Sequence, residues 1–138
     1  LGAASTITSL KYRPEVDFVI ADCGFADIEN VLREGYRSVH MPGFLFNLAN
    51  FGARLRFHYA LSDMRPVDSL KENEIPVLFI HGADDTFIVP KNSQDMYEMT
   101  KGKRELFLMP GAGHAESVLK DPEKYRSVVE GFLVSIEK

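Results

Sequence analysis

Three short, strongly apolar runs constrain the fold of this chain more than any other feature: Val16 to Cys23 (VDFVIADC), Ile75 to Ile80 (IPVLFI) and Glu105 to Met109 (ELFLM). A strand with one wet face alternates apolar and polar residues, whereas a strand covered on both faces can be apolar at consecutive positions. The segments between the runs have helical spacing. Residues 2 to 10 form a helix that Pro14 stops, and Asp27 caps a helix carrying Ile28, Val31 and Leu32 that runs to about Val39. After a Met41-Pro42-Gly43 break, residues 44 to 61 are helical with a broad apolar face. Pro90 opens a helix over 91 to 100 that Gly102 closes, and Pro122 opens a last helix striped with Tyr125, Val128, Val129, Phe132, Leu133 and Ile136. Apolar strands alternating with helices point to an α/β fold, a parallel sheet covered on both sides. At 138 residues and 45% hydrophobic content the chain suffices for one core.

Composition excludes several function classes. The net charge is −4 and the basic residues are scattered, which argues against nucleic-acid binding. One cysteine allows no internal disulfide, and no run approaches the length of a membrane span. No signal peptide is visible, so the expected compartment is the cytoplasm, with any targeting segment upstream of residue 1. The four histidines and the cysteine match no metal-ligand spacing, and Gly111-Ala112-Gly113 lacks the third glycine of a dinucleotide fingerprint. Neither a metal nor a cofactor is expected.

The candidate chemistry lies just past the second and third strands, in His81-Gly82-Ala83-Asp84-Asp85 and Gly111-Ala112-Gly113-His114-Ala115-Glu116-Ser117. Ligands of open parallel sheets bind beyond the carboxyl ends of the strands, and both Asp85 and His114 fall there. An acid that accepts the imidazole Nδ1–H fixes the tautomer whose Nε2 can deprotonate a serine. Each residue alone has a plainer reading, as a turn residue or a cap; their order and placement together favour an acid–base pair. Asp85 is preferred over Asp84, which is left to cap or salt-bridge at the turn. His81 is expected to bond backbone, Ser117 to cap the following turn, and Glu116 to be solvated.

The nucleophile is missing. A nucleophile elbow reads G-x-S-x-G at a strand-to-helix turn, and none of the serines at 5, 9, 38, 62, 69, 93, 117, 127 and 135 has glycines two residues before and after. Cys23, in Ala21-Asp22-Cys23-Gly24-Phe25, fails the same test. Leu1-Gly2 fits the last two places of an elbow, with small Ala3 and Ala4 starting the helix behind it, so the serine is expected one residue before Leu1.

The stretch from about 40 to 62 has two compatible readings. It packs as a helix pair on its own domain, or it is a cap inserted between two strands whose Phe44, Leu48, Phe51 and Leu55 line an apolar substrate pocket.

On Leu1-Gly2-Ala3-Ala4, Ile20-Ala21-Asp22-Cys23-Gly24-Phe25, Pro76-Val77-Leu78-Phe79-Ile80-His81-Gly82 with Asp85, and Pro110-Gly111-Ala112-Gly113-His114-Ala115, the whole chain resembles the C-terminal half of an α/β-hydrolase. The group in question comprises serine hydrolases related to S9 and S33 peptidases and Bem46-like proteins. The resemblance implies a partial α/β-hydrolase fold: the last three parallel strands, flanking helices and a cap. It also implies Asp85 as triad acid, His114 as general base and the Leu1 backbone N–H as an oxyanion-hole donor. The loop Asp85-Thr86-Phe87-Ile88-Val89-Pro90 departs from the pattern, since relatives often have one residue fewer before the proline.

The expected activity is hydrolysis of an ester, thioester or amide in a small-molecule or peptide acyl substrate, with the chain inactive by itself. The free edge of the 16–23 strand is expected to recruit the missing N-terminal half or a second copy. The rival reading is a non-catalytic, hydrolase-like association domain.

Overall fold

The structure, a computed structural model, describes residues 1–137. The chain divides into two compact units: Leu1–Ala26 together with the chain from Pro66 onward, and Asp27–Arg65.

The first unit is built on a three-stranded parallel sheet, β1 (Val19–Asp22), β2 (Val77–Gly82) and β3 (Arg104–Met109), in the order β1-β2-β3. Its helices are α1 (Gly2–Ser9), α4 (Lys91–Met99), the short α5 (Ser117–Lys120) and α6 (Pro122–Ile136). β2 is the centre strand, buried along its whole length. Alternate β2 side chains enter two cores. Val77 and Phe79 join Ile7 and Leu10, Val19 and Ala21 of β1, and Met96 of α4 on one face; Leu78 and Ile80 meet Phe132 of α6 on the other. The run IPVLFI is apolar without alternation because both sides of the sheet are covered.

The strand boundaries differ from the expected ones for a hydrogen-bonding reason. β1 begins at Val19, not Val16. Val19 is in register with Val77 and its amide donates to the Pro76 carbonyl at 2.9 Å; ahead of that point the ladder lacks donors, because Pro76 has no N–H and the Ile75 amide donates to the Asn73 side chain. β2 starts two residues later than expected and continues through His81 and Gly82, which pair with Leu108 and Met109. His81 is therefore a buried strand residue and not the residue that ends the strand. Helix α4 ends at Met99, before Gly102, where the Thr100 hydroxyl and amide both donate to the Met96 carbonyl.

The second unit holds α2 (Ile28–Ser38) and α3 (Phe44–Phe57), and so begins earlier than the 40–62 stretch that reads as a cap in the sequence. Asp27 caps α2 by accepting from the Glu29 amide at 2.8 Å, and its other oxygen pairs with Arg65 at 2.5 Å. The Ile28 amide donates to the Met64 carbonyl, so the two ends of the unit are tied to each other. Phe46 is its buried anchor, with Tyr36 edge-on at 6.3 Å and the Arg33 guanidinium over its ring at 4.5 Å. Among the described residues no helix is long and apolar enough to cross a membrane.

Phe79 is fully buried in the larger core. Replacing it with alanine is expected to cost about 3–5 kcal/mol, read from urea-unfolding midpoints; a loss below about 1 kcal/mol would contradict the packing described.

Candidate active site

The residues with chemical potential gather where the three strands end. The loop after β3 returns directly across the end of β2. A Cβ added to Gly82 would lie 2.3 Å from the Gly113 carbonyl oxygen and 2.4 Å from that of Ala112, so only glycine lets the two backbones pass. The Ala83 amide donates to the Met109 carbonyl at 2.8 Å and the Asp84 amide to that of Ala112 at 2.9 Å. This stapling brings Asp85 and His114 together.

Asp85 is 3% exposed. Its Oδ1 accepts from the Phe87 and Ile88 amides, each at 2.9 Å. Its Oδ2 accepts from His114 Nδ1 at 2.7 Å and lies 3.2 Å from His81 Nε2. Burial pushes the Asp85 carboxyl up, but the hydrogen bonds from His114, Ile88 and Phe87 outweigh it, and the pKa lies below its ordinary value. The same amide contacts organise the 85–88 loop.

His81 supports this arrangement from within β2. Its Nε2 is 2.7 Å from the Ile88 carbonyl and its Nδ1 is 2.6 Å from the Ser93 hydroxyl. With two acceptors near Nε2, the network assigns the proton there, so Nε2–H donates to Ile88 and Ser93 donates to Nδ1. His81 is fully buried and braces the 85–88 loop, bonding backbone as its sequence position suggests.

The His114 side chain is 38% exposed. Its Nδ1–H is committed to Asp85, the Phe87 ring stands edge-on at 5.1 Å, and no described residue bonds to its other nitrogen. A neutral imidazole held in this tautomer presents the Nε2 lone pair outward as a base. No serine hydroxyl among the described residues is hydrogen-bonded to it.

Cys23, set aside in the sequence as a nucleophile, also stands here. It follows β1 with φ +49°, its amide donates to the Ile80 carbonyl at 3.0 Å, and its Sγ accepts from the Ala115 amide at 3.3 Å. Ala115 too is left-handed, at φ +58°. Burial pushes the Cys23 thiol up to about 11, so it is a neutral thiol and not an activated nucleophile. Its place at a strand's carboxyl end, the criterion that selects Asp85 and His114, was the signal for it. Cys23, Asp85 and His114 are also the group among the described residues whose ligand atoms lie close enough to hold a metal ion. Chain spacing conceals them because they come from three separate loops.

The remaining candidates fall as follows. Leu1 is exposed at the start of α1. A Cβ on Gly24 would lie 3.3 Å from the Ala3 Cβ and 3.1 Å from Met96, so the first turn of α1 runs beside the loop that follows β1. Phe44, Leu48, Phe51 and Leu55 form an exposed stripe on α3, within the second unit. Asp84 is exposed and neither caps nor salt-bridges among the described residues. Ser117 does not cap: its hydroxyl is buried without a partner. Glu116 is exposed yet accepts from the Gly113 amide at 3.0 Å, steadying the turn before His114.

Comparison with known proteins decides the family. The profile described as serine hydrolase (FSH1) matches residues 3–115. The chain belongs to the FSH1 serine hydrolase family. A relative of this chain, the uncharacterized protein YqkD of Bacillus subtilis (strain 168), is 36% identical over 121 residues, 85% of this chain and 39% of that protein. Among solved structures, the Pyrococcus furiosus esterase Pf2001 superposes with a TM-score of 0.68 at 20% identity, over 96% of this chain and 50% of that one. MGS-MChE2, an α/β-hydrolase enzyme from the metagenome of lagoon sediments of Mar Chica, Morocco, gives 0.68 at 16% identity, over 100% and 59%. The Pyrococcus horikoshii acylaminoacyl peptidase gives 0.65 at 15% identity, over 95% and 22%. The fold is thus a partial α/β-hydrolase fold, and the chain spans 39% of YqkD and 22–59% of the three structures named.

The depressed Asp85 pKa has a thermodynamic consequence. A carboxyl whose folded pKa lies below its unfolded value of about 3.9 contributes stability that is present above that value and lost as pH falls through the folded pKa. Wild type is therefore expected to exceed Asp85→Asn in stability at neutral pH, with the gap closing below about pH 4. Chemical denaturation at stepped pH reads this directly, and a gap independent of pH would contradict it.

Proposed function

We propose that the protein is a serine hydrolase working by acyl transfer to water, in which His114 is the general base and Asp85 holds its tautomer. The observation that carries this reading is the 2.7 Å bond between His114 Nδ1 and the buried Asp85 carboxylate, in a chain that belongs to a serine hydrolase family. The nucleophile is a serine supplied from outside these residues, immediately ahead of Leu1. His114 Nε2 takes its proton as the oxygen attacks an ester, thioester or amide carbonyl, and returns it to the leaving group. The Leu1 backbone N–H is one donor to the oxyanion. The exposed stripe Phe44, Leu48, Phe51 and Leu55 belongs to a cap, and its chemistry suits an apolar acyl group. Residues 1–138 alone lack the nucleophile and are inactive.

A serine-directed fluorophosphonate is expected to label the protein that carries this chain, and His114→Ala to abolish the labelling. Asp85→Asn, which leaves the wrong tautomer at His114, is expected to lower kcat by about 10⁴. Failure of the folded wild-type protein to label would favour a hydrolase-like association domain without chemistry.

Assembly follows from the sheet. β1 is an edge strand here, and it takes up either the preceding strand of the protein or a second copy. In residues 1–138 by themselves, sedimentation at micromolar concentration is expected to show a dimer or larger species; a monodisperse 15.5 kDa monomer would contradict this.

A further inference from the structure

Helix α3 is apolar on two opposite sides. At 3.6 residues per turn, Phe44, Leu48, Phe51 and Leu55 fall within an arc of about 60°. Phe46 and Asn50 lie across the helix from them and are engaged within the unit, Phe46 by Tyr36 and Arg33 and Asn50 by Ser62. A surface helix ordinarily turns its polar side outward, but the outward side of α3 carries two phenylalanines and two leucines at 60–65% exposure. Together they present on the order of 500 Å², near the upper end for the largest apolar patch of a typical monomer. We propose that α3 docks the protein on an anionic lipid surface, with this stripe in the boundary between headgroups and acyl chains and Arg56 among the headgroups.

The distribution of charge selects that occupant. From Gly35 to Ser62 there is no Asp or Glu, in a chain that holds 20 of them. The unit Asp27–Arg65 has 5 arginines against 4 acids, whereas the rest of the chain has 11 basic against 16 acidic residues. The stripe thus belongs to the unit that an anionic surface attracts and not to the one that it repels. Arg54 and Arg56 leave the helix about 100° to either side of the stripe, so their alkyl stems can cover apolar surface while the guanidinium groups stay in water. Arg54 is paired with Asp63 at 3.1 Å; Arg56 stands over the Phe57 ring at 5.3 Å and has no acidic partner among the described residues. Length and area agree with this occupant. The stripe runs about 17 Å, too short to span a bilayer and suited to lie along one. A second copy paired through it would bury roughly 500 Å² per protomer, short of the ~800 Å² per partner of a stable interface. Insertion among lipids has no such minimum and gains with each side chain.

The link to substrate, acyl chains held in an assembled surface, rests on the proposed hydrolysis; docking is measured without turnover and stands or falls apart from it. The test is sedimentation of the whole protein that carries this chain with vesicles of two parts phosphatidylcholine to one part phosphatidylglycerol, set against pure phosphatidylcholine. The wild type is expected to bind the anionic vesicles at millimolar lipid, and the neutral ones about fivefold more weakly or less. Phe51→Ser is expected to weaken binding to the anionic vesicles about tenfold, and Arg56→Gln about fivefold with no change on neutral ones. Both side chains are exposed, so neither substitution opens a cavity, and unchanged unfolding midpoints check this. An environment-sensitive dye on Leu48→Cys, with the other cysteines, Cys23 among them, replaced by serine, reads what covers the stripe. Its emission is expected to shift to the blue only when anionic vesicles are added. No binding by the folded wild type, equal affinity for the two vesicles, or binding that Phe51→Ser leaves unchanged would overturn the proposal. So would a dye already blue-shifted without lipid, which means that the remainder of the protein or a second copy covers the stripe.

Discussion

A carboxylate with 3% exposure is the constraint around which the first unit is arranged. Withdrawing an ion from water costs several kcal/mol unless hydrogen bonds replace the lost hydration. Asp85 recovers that cost from separate parts of the chain. Two amides of its own loop supply one oxygen, and two histidines, one within β2 and one on the loop after β3, face the other. Charge-assisted bonds of this kind contribute about 1.5–3 kcal/mol each, enough to keep the carboxyl ionised despite its burial. The loop over 85–88, the tautomer of His114 and the inward position of His81 are thus one electrostatic solution and not three separate features.

Much of this was legible in the residues. The three apolar runs specify a covered parallel sheet, and the order of Asp85 and His114 past two strand ends marks an acid beside a base. What was not legible depends on pairing across the chain. The extension of β2 through His81 and Gly82 requires the partners Leu108 and Met109, which no local pattern reveals. The late start of β1 follows from the missing N–H of Pro76 and the diversion of the Ile75 amide to the Asn73 side chain. Gly82 reads locally as a strand terminator; its actual constraint is the carbonyls of Ala112 and Gly113 passing 2.3–2.4 Å from where a side chain would begin. Cys23 was judged only against a nucleophile elbow, and its convergence with the acid and base arises from three loops that share no spacing in sequence.

The site is asymmetric. On the buried side every acceptor of Asp85 is used and His81 is locked between Ser93 and Ile88. On the open side no described residue bonds to the second nitrogen of His114. Rigidity behind a group and openness in front of it are what proton transfer requires of a base.

The segment from Asp27 to Arg65 has its two ends tied to each other. Asp27 grips Arg65, Ile28 bonds Met64, and on the other side of the boundary the Val67 amide donates to Ala26. A segment whose ends already meet can be lengthened, shortened or exchanged at little entropic cost and without disturbing the register of β1 against β2. Changes of length within that segment are therefore compatible with an unchanged strand register and an unchanged bond between Asp85 and His114.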